Sequence, residues 1–231
     1  MYGCDVVHFS PPIFLVVRWW FVFLQETYEL EDYHLYDDAT TDKSSNYSPN
    51  RLNGGVTGAL TYDNTNQAYN IKINEGKTAS ASNAGYFLVN LPVTSNNCLF
   101  SAKIKGSALE GDFSTADFGL AKWNTSNNLA GMHYVRGEAT TKRYSESNSS
   151  GNTHKINQNS NPTITRDTWY MFSLEINGTS MIFKLYDGTG ETQLYTHTAT
   201  CSTNILDGNL SIVCGWGKQQ LFVKDIKVKA L

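Results

Sequence analysis

Hydrophobic and polar residues alternate almost without a break along residues 166–191, RDTWYMFSLEINGTSMIFKLYDGTGE. A period of two places successive side chains on opposite faces of a β-strand, and Trp, Phe, Tyr and Ile suit a pleated, half-buried surface. Asn177-Gly178 separates two such runs and is a strong hairpin signal, because both central residues of a type I′ turn need positive φ. Asp187-Gly188 marks a second turn. The stretch therefore predicts a hairpin that runs into a third strand, with Trp169 in the core.

Similar runs continue through most of the chain after about residue 35. They alternate with clusters of Gly, Asn, Ser and Asp, and no helical period of ten or more residues occurs. Many short strands with regular turn signals predict an all-β fold, an antiparallel β-sandwich or barrel. The predicted strands are 58–63, 68–74, 85–93, 98–106, 117–124, 130–137, 139–145, 169–177, 180–187, 192–198, 209–216 and 220–229.

The N-terminal part of the chain has a different pattern. Residues 13–24, within PPIFLVVRWWFVFLQ (11–25), form an apolar run that only Arg18 interrupts. The run is shorter than the roughly 20 apolar residues of a membrane-spanning helix, so no transmembrane helix is predicted. No small-residue cleavage site follows it, which is not typical of a signal peptide. We predict residues 1–34 as an apolar segment, either an extra buried strand or a contact segment for self-association or a membrane surface, followed by a β-sandwich domain over 35–231.

Composition narrows the class of partner. Charged residues make up 17% of the chain, below the roughly 25% of an average soluble protein, while aromatic residues make up 13% and Asn, Ser and Thr are abundant. Such a composition favours an extracellular, cell-surface or virion-surface location. The net charge is −3 and the sequence shows no basic stripe, which disfavours a nucleic-acid partner because phosphate neutralisation dominates that affinity.

The four cysteines do not predict a metal site. No two of them form a CxxC pair, so a zinc site is not expected. Cys98 and Cys214 lie in apolar runs, which favours buried thiols. Cys201 and Cys214 could lie on neighbouring strands, so the disulfide status of the four cysteines stays open.

The order of several segments resembles a known superfamily. The segments are YDDATTDKSSNY, GALTYDNTNQAYNI, FLVNLPVTSNNCLFSAKIKG, FGLAKW, the hairpin TWYMFSLEINGTSMIFKLYDGTG and the closing LFVKDIKVKAL. Together they resemble the concanavalin-A-like (laminin-G-like, lectin/glucanase) jelly rolls over roughly residues 35–231. The resemblance rests on pattern and order, so it is a guide to fold more than to function. It implies an antiparallel β-sandwich and two activities, glycan binding and glycan cleavage.

Glycan hydrolysis needs two carboxylates on either side of the scissile bond. Laminarinase-like glucanases of this superfamily carry an E-x-D-x-x-E motif on one strand, and the nearest stretch here is LEGDFSTAD, 109–117. Glu110 and Asp112 match the first two acids, but the second Glu is missing and Asp117 stands at the wrong spacing. The Arg, Gln-x-His and Tyr signatures of the polysaccharide lyases that share the fold are not found either. We therefore expect no catalytic residues.

Glycan binding needs aromatic rings for the apolar faces of a sugar and polar side chains for its hydroxyls. Trp123 ends a predicted strand beside a loop, Tyr134 and Arg136 share one face of the next strand, and Trp216 lies between two glycines that let a ligand approach the backbone. The alternative for each ring is a core position, which is common for large aromatic residues in a sandwich. The predicted carbohydrate-binding residues are Trp123, Asn124, His133, Tyr134, Arg136, Tyr144 and Trp216.

The resemblance also implies a structural metal. Many carbohydrate-binding jelly rolls hold a Ca²⁺ between the first and last strands, and calcium takes 6–8 oxygen ligands, several of them carboxylates. Asp37, Asp38 and Asp42 at the start of the domain, and Asp225 at its end, stand where such ligands would lie. We take Asp38 and Asp225 as the predicted calcium ligands, and the alternative is a solvated turn and an outward strand residue.

Three functions remain open from the sequence. The preferred hypothesis is a non-catalytic, lectin-like module of a cell-surface adhesin or of a phage or virus structural protein, with a glycan or cell-surface polysaccharide as partner. The second is a diverged glycoside hydrolase or polysaccharide lyase of the same fold, around Glu110 and Asp112. The third is a purely structural or assembly module in which residues 11–25 mediate subunit contacts.

Overall fold

The structure is a computed structural model in which residues His34–Leu231 form one compact unit. It describes residues 33–52, 56–75, 86–108, 117–123, 129–136, 141–148, 151–159, 164–201, 206, 208–215 and 218–231. The apolar segment 11–25 lies outside these residues, so its role stays a prediction. Within the described part of the chain, no helix is long and apolar enough to cross a bilayer.

Strands dominate the described residues, which confirms the predicted all-β class. One 3₁₀ turn, Ser44–Asn46, accompanies fifteen strands. The strands are β1 (Tyr33–Asp37), β2 (Ser48–Leu52), β3 (Gly58–Asp63), β4 (Ala68–Ile73), β5 (Tyr86–Asn90), β6 (Asn97–Ala108), β7 (Asp117–Trp123), β8 (Leu129–Arg136), β9 (Thr141–Asn148), β10 (Gly151–Asn159), β11 (Trp169–Asn177), β12 (Ser180–Tyr186), β13 (Gln193–Thr200), β14 (Asn209–Gly215) and β15 (Gln219–Ala230).

The strands form two antiparallel sheets. The eight-stranded sheet has the order β13-β12-β11-β6-β15-β4-β3, with β1 paired to β15. The seven-stranded sheet has the order β10-β9-β8-β7-β14-β5-β2. Neighbours along both orders pair antiparallel. Strands that are distant in sequence, such as β6 and β15, are therefore neighbours in space.

The hairpin of β11 and β12 forms as the alternation predicts, but its turn lies one residue later than expected. Asn177 pairs with Ser180, so Gly178 and Thr179 are the two central residues. Gly178 has a φ of 57°, whereas Thr179 is not among the residues with positive φ. Positive φ at the first central residue alone is the requirement of a type II′ turn, and glycine meets it without steric cost.

The hydrophobic core lies between the two sheets and is rich in aromatic rings. Phe118 of β7 contacts Phe172 of β11 across the sheets, with ring centroids 5.9 Å apart, and Phe172 packs at the same distance against Phe183 of β12. Cys98 and Cys214 are buried in this core, as predicted. A continuous core of this kind supplies the main stabilising term of the sandwich.

Trp169 does not belong to this core, and its predicted core position is wrong. Along β11 the side chains of Tyr170, Phe172, Leu174 and Ile176 are buried in the core, so the alternate positions face outward. Trp169 is half-buried on the outer face of the eight-stranded sheet. Trp169 faces away from the core because successive side chains of a strand point to opposite faces, and its neighbour Tyr170 faces the core.

A buried carboxylate fixes the end of β1 to the rest of the domain. Asp37 is 2% exposed. Its Oδ2 accepts hydrogen bonds from the hydroxyls of Tyr47 (2.6 Å) and Tyr69 (2.7 Å), and its Oδ1 lies 3.4 Å from Nζ of Lys43. Burial, together with the hydrogen bond to Asp37, raises the pKa of both Tyr47 and Tyr69, so both hydroxyls stay protonated donors. Asp37 therefore has a structural role.

We predict that Asp37→Asn lowers the free energy of unfolding by about 2–4 kcal/mol, because two buried tyrosine hydroxyls lose their charged acceptor. Urea denaturation of the full chain measures this change. Asp38→Asn is the matched control, since the Asp38 carboxylate accepts surface hydrogen bonds from Thr40 and should tolerate the amide. Equal stability of the two variants would refute the structural role of Asp37.

Candidate functional site

The seven-stranded sheet carries a second buried layer on the face that is turned away from the core. Tyr86 and Leu88 of β5, Val213 of β14, and Ala121 and Trp123 of β7 form a cluster separate from the core. Their neighbours along the same strands, among them Phe87, Phe118 and Ile212, belong to the core. We call this face the outer strip, defined by Tyr86, Leu88, Asn90, Ala121, Trp123, Ser211 and Val213.

The outer strip contains polar groups as well as rings. The Ser211 hydroxyl donates a 2.7 Å hydrogen bond to Oδ1 of Asn90, its cross-strand partner, and both residues are buried. Trp123 is 3% exposed, and its indole Nε1 has no hydrogen-bond partner among the described residues. A buried donor without an acceptor costs about 1–3 kcal/mol, and such groups are rare in folded proteins.

The register of β8 brings two further predicted residues to this face. Tyr134 pairs with Gly119, and Arg136 pairs with Asp117. Directly paired residues of antiparallel strands share a face of the sheet, so positions 134 and 136 belong to the same face as Trp123. His133 pairs with Leu120, and Tyr144 pairs with His133. Positions 133 and 144 therefore belong to the opposite face and are not brought together with the strip.

The strip is elongated along β14. Asn209 at the start of β14 pairs with Trp123, and Gly215 at its end pairs with Asp117. Six residue steps separate the two ends, which is about 20 Å in an antiparallel strand. Asn124 follows Trp123 at one end and Trp216 follows Gly215 at the other, and both lie outside the described residues.

Small side chains occupy β7 between the two ends of the strip. On this face Gly119 and Ala121 lie between Asp117 and Trp123, and Ser211 lies opposite Ala121 on β14. The small side chains of β7 lie beside the larger Val213 and Leu88, because Val213 pairs with both Gly119 and Leu88.

The two predicted calcium ligands have other partners in the structure. Asp38 accepts hydrogen bonds from the backbone N–H (3.1 Å) and the hydroxyl (2.9 Å) of Thr40, and the backbone bond lowers the pKa of Asp38. Asp225, with a φ of 51°, lies at an irregularity of β15 and forms a 3.1 Å ion pair with Lys103. Within the described ranges, no group of three or more His, Cys, Asp and Glu side chains could hold a metal ion. Calcium binding stays a prediction.

The acids of the diverged catalytic motif are only partly described. Glu110 and Asp112 lie outside the described residues. Asp117 begins β7, opposite Arg136, at the Tyr86 end of the outer strip. Its register position therefore puts one carboxylate-bearing residue on the same face as the strip.

Lys122, which the sequence analysis did not single out, is 1% exposed beside the Trp123 end of the strip. Its ammonium group donates to the carbonyl oxygens of Ser95 (2.9 Å) and Leu206 (2.8 Å) and to the Asn96 side chain. The sequence indicates this burial, because Lys122 follows Phe118 and Leu120 at steps of two residues and so lies on the core side of β7. Lys122 anchors two loops where β7 ends.

Comparison with known proteins bears on the fold. No protein-family model and no curated protein sequence matches the chain. Among solved structures, the chain is similar to the carbohydrate-binding module CBM66 from Bacillus subtilis, with a TM-score of 0.53 and 11% identity over 79% of this chain and 95% of that one. A β-1,3-glucanase from Mycobacterium marinum has a TM-score of 0.52 and 12% identity over 85% and 98% of the two chains. A family 7 alginate lyase, A1-II′, has a TM-score of 0.54 and 10% identity over 85% and 100%.

The chain has the concanavalin-A-like jelly-roll fold. This confirms the fold that the order of segments implied. Because these three similar structures include a binding module and two enzymes, the jelly roll by itself selects neither activity.

We predict that Asn90 and Ser211 are energetically coupled within the outer strip. Asn90→Ala and Ser211→Ala each leave one buried polar group without its partner and should each lower stability by about 1–3 kcal/mol. The double variant should cost less than the sum of the two by about 1 kcal/mol, which a double-mutant cycle in urea measures. Additive effects would show that the hydrogen bond contributes nothing.

Proposed function

We propose that this jelly-roll domain is a non-catalytic glycan-binding module and that the outer strip is its binding surface. The observation that carries the proposal is the Trp123 indole N–H, a buried donor without an acceptor on a face that does not contribute to the core. The fold gains no stability from such a group. An oxygen acceptor on a ligand would offset the cost of about 1–3 kcal/mol.

The chemistry of the strip supports a sugar as the ligand. The rings of Trp123 and Tyr86 suit the apolar faces of sugars, while the Asn90 amide and the Ser211 hydroxyl suit sugar hydroxyls. The length of the strip along β14 suits an oligosaccharide better than a single sugar. Positions 134 and 136 extend the same face toward β8.

The residues of the strip are at most 7% exposed, so a glycan reaches them only after a local opening. Binding sites that require such an opening associate slowly. We therefore expect slow association of the glycan.

The solved structures with this fold support the same class of ligand by analogy. One is named as a carbohydrate-binding module, and another is a CBM2 module of the evolved Dit protein of Lactobacillus casei phage J-1, with a TM-score of 0.50 and 12% identity over 87% of this chain and 98% of that one. These neighbours, together with the Asn-, Ser- and Thr-rich composition, support an extracellular, cell-surface or virion-surface module. We propose an adhesin or a phage or virus structural protein as its context.

A glycan array probed with the full chain tests the function, and an isosteric replacement tests the site. Trp123 is replaced by β-(3-benzothienyl)alanine, which keeps the bicyclic shape but has no N–H. We predict about tenfold weaker binding to the selected glycan, the equivalent of one hydrogen bond, with an unchanged or higher melting temperature. The same replacement at Trp169 on the other sheet is the control and should leave binding to neutral glycans unchanged.

Two outcomes would contradict the proposal. In the first, the full chain binds no glycan on the array. In the second, the Trp123 isostere binds the glycan as tightly as the natural chain does.

Repeating the array with calcium and with a chelator tests the predicted calcium ligands Asp38 and Asp225. Release of reducing ends or unsaturated products from the bound glycan would replace the non-catalytic proposal with a hydrolase or lyase.

A further inference from the structure

Lysines are concentrated on the outer face of the eight-stranded sheet. Strand alternation directs seven of the chain's eighteen basic residues to this face: Lys72, Lys103, Lys105, Lys184, Lys224, Lys227 and Lys229. Four carboxylate residues accompany them in the described part of the chain: Asp63, Glu75, Glu175 and Asp225. The face is therefore locally positive in a chain whose net charge is −3. The sequence shows no basic stripe because these lysines come from four strands that are distant along the chain.

Three of these lysines form no ion pair with a carboxylate in the described part of the chain. Lys72, Lys103 and Lys184 form ion pairs of 3.1, 3.1 and 3.4 Å with acidic residues. Lys105, Lys224 and Lys227 have no such pair among the described residues, and Lys227 lies over the Tyr36 ring instead. Their positive charge is available to a partner outside the chain.

Lys105 and Lys224 converge on Trp169 instead. Their Nζ atoms lie 5.1 and 4.7 Å from the centroid of the Trp169 ring, and Nζ of Lys105 also lies 4.7 Å from the Phe222 ring. Lys105 donates a hydrogen bond to Oδ1 of Asn66 at 3.2 Å. We call this group the Trp169 patch, consisting of Trp169, Phe222, Lys105 and Lys224.

The rings hold the two ammonium groups in place on a rigid surface. A cation over an aromatic face gains about 0.5–1 kcal/mol at an exposed site, which restrains an otherwise mobile lysine. The register also places Lys224 directly opposite Lys103, whose charge is paired with Asp225 at 3.1 Å. The charge of Lys224 has no such pair among the described residues and can be matched by an anionic ligand.

Neutral polar groups lie beside the patch. The Gln220 amide donates a 2.9 Å hydrogen bond to Oδ1 of Asn70, and Asn70 is the cross-strand partner of Phe222. Amide groups next to cations match a polymer that carries both hydroxyls and anionic groups.

The composition of the face favours a polysaccharide over a nucleic acid. No arginine occurs on the described strands of this sheet, although arginine is the preferred residue for bidentate phosphate recognition. The ammonium groups near Trp169 also compete with a nucleobase for its ring, whereas single-strand binders use open aromatic rings for stacking.

We infer that the Trp169 patch binds an acidic polysaccharide, one that carries carboxylate or sulfate groups, as a second binding surface on the sheet that does not contain the outer strip. The anionic groups pair with Lys105 and Lys224, and the sugar hydroxyls contact the neighbouring amides of Asn70 and Gln220. This surface is independent of the proposed glycan site at Trp123.

Binding of the full chain to four polymers tests the inference. The probes are alginate (carboxylate), heparin (sulfate), neutral dextran and a single-stranded DNA oligonucleotide, each measured by calorimetry at low and high salt. The variant is K105Q/K224Q, and K72Q/K184Q is the matched control, because it removes the same charge from lysines that are already paired. We expect binding of at least one acidic polysaccharide that weakens with salt, a loss of about tenfold or more in K105Q/K224Q, and less than about a threefold change in the control.

Binding of alginate alone identifies the carboxylate as the recognised group, and binding of heparin alone identifies the sulfate. The inference is overturned if neither acidic polysaccharide binds, if the two double variants lose affinity equally, or if the DNA binds as tightly as the polysaccharides. Lys224→Gln alone, which removes one unpaired cation, replaces the double variant if thermal melting shows that the latter does not fold. The Trp123 isostere should bind the acidic polysaccharide normally, which separates a failure here from a failure of the outer-strip proposal.

Discussion

The packing of two sheets on one aromatic core is the constraint on which the rest of the structure depends. Each strand gives one side-chain parity to that core, as the contact of Phe118 with Phe172 across the sheets shows. The other parity is free to vary. The outer strip and the Trp169 patch both lie at these positions, so the same period of two that builds the sandwich also directs two chemically different sets of side chains away from the core.

Buried polar groups in this domain differ in how far they are satisfied. The Asp37 carboxylate accepts hydrogen bonds from two tyrosine hydroxyls and forms an ion pair with a lysine. The Lys122 ammonium group donates hydrogen bonds to two carbonyl oxygens. Both arrangements connect separate parts of the chain, which is a sufficient structural reason for a buried charge. The Trp123 indole N–H donates no hydrogen bond to any of the described residues. That contrast distinguishes a group that serves the fold from one that is suited to a ligand.

The strands of the sandwich were largely predictable, because alternation is a local property, and the hairpin of β11 and β12 is the clearest case. Strands β1, β2 and β10 are absent from the prediction, and the Asn-rich sequence of β10, GNTHKINQN, lacks the apolar alternation that predicts a strand. Trp169 is predicted in the core, and Trp123 is predicted as a binding residue with a core position as the alternative. Both parities of these strands carry apolar residues, so the sequence alone does not tell which parity faces the core. The lysine-rich face was not predictable without the order of strands, since β6 and β15 become neighbours only in the folded sheet.

The indole N–H resonance of Trp123, followed by NMR during titration of a glycan selected from the array, tests the central claim most directly. The account predicts a resonance that has no hydrogen-bond partner in the free protein and that moves downfield to saturation with the glycan, as the N–H donates to a sugar oxygen. An unchanged Trp123 resonance at saturating glycan, while resonances elsewhere shift, would contradict the account and place the binding surface on another face of the sandwich.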